Sequence, residues 1–218
     1  SASALPRLAA LALGAGPQAL PALEMALLAG AHGPAQEIAQ SLSAAAQARP
    51  GDAGALRLLI QALGLLGDPR FVPWLIERTA DAAQARAAGA SLSWITGADL
   101  ARQELETLKP PPLAQTPSDD AEDDDVALDA DAGLPWPDPQ RLRRWWEREQ
   151  PRLLAAAAPL FLGRPRAVAA LRQALAEATQ RQRAHAALGL CLLQPGQRLF
   201  PVAAPAWRQR RWLGVTDA

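Results

Sequence analysis

The groups in this 218-residue chain able to do acid–base, nucleophilic or metal chemistry are two histidines, one cysteine and a run of carboxylates. His185 and Cys191 fall on one expected helix, but a separation of six residues turns them to opposed faces, so the imidazole is not placed to activate the thiol. Cys191 is expected to be a buried, inert core residue. His32 is the other imidazole. A calcium loop needs alternating oxygen ligands closed by a bidentate glutamate. Asp129-Ala130-Asp131-Ala132-Gly133 offers two ligands and a glycine but no closing glutamate. The chain has no glycine-rich phosphate loop and no HExxH, CxxC or GxSxG. No catalytic residue, cofactor or metal is therefore expected, and the chain reads as a non-enzyme.

The sharpest chemical features are basic-aromatic clusters. Arg141, Arg143, Arg144 and Arg148 surround Trp145-Trp146, and Trp207-Arg208-Gln209-Arg210-Arg211-Trp212 lies near the end of the sequence. Guanidinium and indole groups together serve either phosphate and base contacts or protein interfaces. On a helix, Leu142, Trp145 and Trp146 are spaced i, i+3, i+4 and face a core, leaving Arg141, Arg144 and Arg148 on the wet side. The tail, with Trp207, Arg208, Arg210, Arg211 and Trp212, is expected to dock back on the fold, on the acidic segment or on a partner.

Charge is segregated behind a formal net of zero. Residues 1–118 carry 8 basic and 9 acidic side chains, residues 119–134 carry 0 and 8, and residues 135–218 carry 14 and 5. The acidic belt includes Asp123, Asp124 and Asp125, which join the arginines and tryptophans above as candidate partner-binding residues. It is read as a solvated or internally paired loop, with the basic half as the group that would hold it. Lys109 is the one basic residue that is not arginine, so arginine content alone points to coding bias and only its placement is informative.

These side chains must be positioned by helices. The chain lacks tyrosine, has three phenylalanines, and shows no six-residue apolar-polar alternation, so strands are not expected. From Asp52, residues Leu56, Leu59, Ile60, Leu63 and Leu66 follow helical spacing, with Leu58, Ala62 and Leu65 as a second apolar row. Gly67 ends that helix. Asp68-Pro69 caps the next, which runs through Val72, Trp74, Leu75 and Ile76 to a break near Ala80-Asp81, and a further helix ends at Gly97. The unit recurs: Leu66–Ile95 aligns without gaps on Leu162–Cys191, matching Gly67 with Gly163, Pro69 with Pro165, Val72 with Val168, Leu75 with Leu171 and Leu92 with Leu188. Arg164 stands where the first copy has the capping Asp68, and a weaker copy begins at Leu13-Gly14.

The stretch LGLLGDPRFVPWLIERTADAAQARAAGASLSWITG resembles HEAT repeats of the phycobilisome-lyase type, over residues 52–97 and in part over 4–48 and 162–193. DPRFVPWLIE, SLSWITGADL, LPWPDPQRLRRWW and WRQRRWL together resemble a bacterial family of HEAT-like proteins whose genes accompany type VI secretion clusters. The resemblance implies an all-α fold, a short HEAT-like α-solenoid of antiparallel helix pairs interrupted by an acidic, proline-flanked insertion. It implies a scaffold or adaptor for a protein partner, in secretion assembly or effector loading. A nucleic-acid-binding repeat protein is the alternative, and a phycobilin-lyase-like enzyme a distant third.

The expected division is an N-terminal block over 1–108, an acidic proline-rich linker or insertion over 109–138, and a C-terminal block with the basic tail over 139–218. No run of about 18 uncharged apolar residues is present, so no membrane partner is expected. Pro6 and Arg7 interrupt the apolar opening, which lacks a signal-peptide layout. With one cysteine, a cytoplasmic location is expected. Ser1-Ala2-Ser3 in place of an initiator methionine reads as the start of a fragment.

Overall fold

The computed structural model describes residues 4–14, 16, 18–29, 32–108, 129–156 and 159–214. Asp123, Asp124 and Asp125 lie outside the described residues. The described residues form an all-α protein, with ten α-helices and one short hairpin. Three helices come first, α1 (Leu5–Ala12), α2 (Ala19–Ala29) and α3 (His32–Ala48), followed by α4 (Ala53–Leu66). The local signals act as the sequence predicts. Asp52 accepts a hydrogen bond from Ala55 N at 2.9 Å, and Gly67 closes α4 in the left-handed conformation at φ 78°. Asp68 then accepts from Arg70 N at 2.9 Å, and Pro69 opens a 3₁₀ turn leading into α5 (Val72–Arg78). The pair is completed by α6 (Ala85–Thr96), ended by Gly97.

The second aligned unit is also a packed helix pair, α8 (Val168–Glu177) and α9 (Gln180–Leu193). Its beginning departs from expectation. Residues Arg164–Pro165 form strand β2, paired antiparallel with β1 (Leu160–Phe161), and α8 starts only at Val168 without a side-chain cap. The reason is tertiary. A helix leaves its last four carbonyls without partners, and this hairpin supplies them. Leu160 N donates to Gly67 O at 2.7 Å, Leu162 N to Trp94 O at 2.8 Å and Gly163 N to Ile95 O at 2.9 Å. Gly67 and Gly163 both sit at positive φ, and a Cβ on either would overlap the carbonyl oxygen of Leu160 or Thr96 respectively. A strap thus joins the ends of α4 and α6.

Between the two pairs lies α7 (Pro139–Leu154), capped by Asp138, whose carboxylate accepts from Gln140 N and Arg141 N. Leu142, Trp145 and Trp146 are buried, as their spacing predicts. They share one apolar cluster with Ile60, Val72, Leu75 and Leu92, so α7, expected to open the C-terminal block, completes the core of α4–α6. The chain on either side of the acidic segment is pinned together: Thr107 N donates to Trp136 O and Asp138 N to Leu105 O, both at 2.8 Å. Residues 105–107 and 136–138 are therefore held side by side. A second cluster is built on α2, α3 and α4, and a third on α8, α9 and Phe200. Cys191, expected to be buried, is half-buried near the end of α9, its Sγ 3.5 Å from Gln197 O.

Candidate partner-binding surface

The tail arginines and tryptophans are carried by α10 (Ala206–Trp212). One buried polar side chain fixes this helix. Gln209 accepts from Arg183 Nη2, and its Nε2 donates to Val202 O at 2.9 Å and to Ala204 O. Leu213 packs against the third cluster, and the Trp212 ring meets Phe200 edge-on at 6.2 Å. With Gln209 and Leu213 turned inward, the opposite face carries Trp207 and Arg211, and Arg208 and Trp212, as two i, i+4 pairs. These four residues line one shallow cleft. Trp207 is 64% exposed and Trp212 44%, and Arg208, Arg210 and Arg211 are exposed. Large indoles exposed on this chain beside guanidiniums are the residue types that dominate binding energy at interfaces.

The other candidate arginines stand apart from this face. Arg141 Nη1 donates to Glu104 O at 2.8 Å and its Nε lies 3.6 Å from Asp138, so it fastens the start of α7 to the loop that follows α6. Arg144 and Arg148 are exposed on the outer side of α7. That helix packs on α5, whereas α10 is held by α9. The two basic clusters belong to different packing units.

The acidic belt corrects the sequence reading where it is described. Asp129 and Asp131 are held by arginines of the N-terminal half. Arg57 of α4 grips Asp131 with both terminal nitrogens, and Arg86 of α6 grips Asp129 at 2.6 and 2.8 Å while donating to Asp131 O at 3.0 Å. The Arg86 guanidinium also lies 4.7 Å from the centre of the Trp136 ring. The hydrogen bond from Arg86 holds the Asp129 carboxyl below its usual range, and the bond to Asp131 raises Arg57. Each of the two carboxylates is thus held by a bidentate arginine partner. Among the described residues no group of histidine, cysteine and carboxylate side chains could hold a metal.

Sequence reasoning missed a contact between the first helices and the last pair. His185 on α9 is 1% exposed and its Nδ1 lies 2.7 Å from Glu24 Oε1 on α2. Trp94 and Phe161 enclose its ring at 5.0 and 5.2 Å. Burial drives His185 below its ordinary pKa, with the bond to Glu24 opposing and the charge of Arg166 adding to the shift. Glu24, Trp94, Ser91, Asp131 and Arg181 line a cleft of about 140 Å³ at this junction. A larger groove of about 480 Å³ lies between α3 and α4, floored by Leu56, Leu59, Leu63, Leu66, Phe71 and Trp74. Among the described residues no hydrogen bond joins Ser91 to Glu24 or Asp131 in the smaller cleft, or Ser43 to Asp52 in the larger.

Comparison with protein-family models, with curated proteins and with solved structures finds no match to this chain.

Proposed function

We propose that the chain is a short HEAT-like α-solenoid that works as a non-catalytic adaptor, binding a protein partner in the cytoplasm. The observation that carries this reading is the α10 face, on which Trp207 and Trp212 stand exposed beside Arg208 and Arg211 while Gln209 fixes the helix from behind. Burying such indoles against a partner removes apolar area from water at little entropic cost, and the guanidiniums supply directional bonds. The recurrence of a helix pair 96 residues apart in sequence, α5–α6 and α8–α9, supports the repeat reading. The further proposal that the adaptor serves type VI secretion, in assembly or effector loading, is supported by the sequence resemblance alone.

The experiment is affinity capture from the native host with the wild-type chain and Trp207→Ala, read by quantitative mass spectrometry. A protein retained by the wild type and lost by the variant supports the reading. Identical retention profiles refute it.

A further inference from the structure

The chain from Ala178 to Gly214 contains six arginines and no aspartate or glutamate. One of the six is turned inward: Arg183 donates to Leu175 O at 2.7 Å and to Gln209, and lies 5.5 Å from the Phe200 ring. Arg208 and Arg211 point the other way, between the exposed indoles of Trp207 and Trp212. Among the described residues no salt bridge joins either of them to a carboxylate. This contrasts with Arg57 and Arg86, each of which is closed by an aspartate of the same chain.

A cleft lined, among the described residues, by two forked donors and two indoles has a complement of definite chemistry. Each guanidinium fork matches a carboxylate, and a neighbouring indole both excludes water from that pair and accepts an aliphatic or aromatic side chain. The size of the face narrows the class. Seven helical residues extend only about 10 Å. Non-specific binding of single strands instead uses a groove that tracks phosphates over roughly 4–16 nucleotides. A few side chains of an extended or helical peptide fit the shorter length.

We infer that the α10 face binds a short acidic segment of another protein, in which aspartate or glutamate alternates with large apolar side chains. The inference rests on the protein-binding reading above and names the chemistry of its partner. Arg208 and Arg211 take the carboxylates, and Trp207 takes an apolar side chain.

The test is fluorescence anisotropy of the full chain with four probes: a labelled peptide of alternating acidic and Leu/Phe residues, its Asn/Gln counterpart, an oligothymidylate, and phosphatidylglycerol vesicles. The acidic peptide is expected to bind at least about tenfold more tightly than its amide counterpart, since charge-assisted bonds are lost in the latter. Arg208→Gln, Arg211→Gln and Trp207→Ala should each weaken it by about tenfold with the melting temperature unchanged. Equal binding of the amide peptide, indifference to the substitutions, or tighter binding of the oligonucleotide or vesicles overturns the inference. Should the peptide fail while a host protein is still captured in a Trp207-dependent way, the acidic partner is refuted and the adaptor reading stands. Failure of both refutes both.

Discussion

His185 Nδ1 lies 2.7 Å from Glu24 Oε1, bonding α9 to α2 across 161 residues of sequence. A carboxylate only accepts, so the hydrogen bond runs from Nδ1–H to Glu24, and the rest of the ring is packed against Trp94 and Phe161.

The burial of His185 predicts acid sensitivity in a defined window. The unfolded chain binds a proton at His185 near pH 6.5, while the folded chain resists protonation until lower pH. The stabilisation is therefore complete above about pH 6.5 and declines as pH falls below it. Urea unfolding between about pH 7.5 and 5 should show falling stability in the wild type and a flatter profile in His185→Gln. At neutral pH, His185→Ala should cost about 2–4 kcal/mol through a cavity and a lost hydrogen bond. Asp52 and Asp129, whose pKa values are lowered by their hydrogen bonds, lose their contribution only below about pH 4, so the windows separate.

Arg57 and Asp131 give a second expectation. Asp131 retains 8% of its side-chain exposure and Arg57 26%. Arg57→Ala leaves a buried carboxylate without its bidentate donor and should destabilise by about 2–3 kcal/mol in urea titrations. Arg152→Ala, which removes an exposed pair with Glu149, should cost less than about 1 kcal/mol. Equal effects from the two variants would contradict the reading of Asp131 as a buried carboxylate anchored by Arg57.

The strap over α4 and α6 separates backbone conformation from crowding. Gly67 and Gly133 have the same φ of 78°, but only Gly67 has neighbouring atoms in the space a side chain would occupy. Gly133→Ala should cost about 1 kcal/mol for its left-handed backbone. Gly67→Ala should cost clearly more, because Leu160 O must move and its hairpin with it. Thermal denaturation of the two variants decides this.

Much of the helical fold was legible because its determinants are local. Asp52 and Gly67 mark the ends of α4 through a side-chain cap and a left-handed residue, and the spacing of Leu142, Trp145 and Trp146 gives the buried face of α7. What escaped sequence reading depends on distant groups. The two-residue strands at 160–165 exist because the ends of α4 and α6 need donors, which no local pattern records. The net charge of each half pointed to the wrong arginines, since pairing at Asp129 and Asp131 follows position and not regional charge. The tail's tryptophans were correctly singled out by type, but Gln209, which orients them, carries no sequence signal of its own.

The proposal that the α10 face meets a partner protein turns on the exposed Trp207. Its most direct test is the dissociation constant of the captured partner for the wild-type chain and for Trp207→Ala, measured by isothermal titration at equal thermal stability. A weakening of at least about tenfold is expected for loss of an interfacial tryptophan. Equal dissociation constants would contradict it.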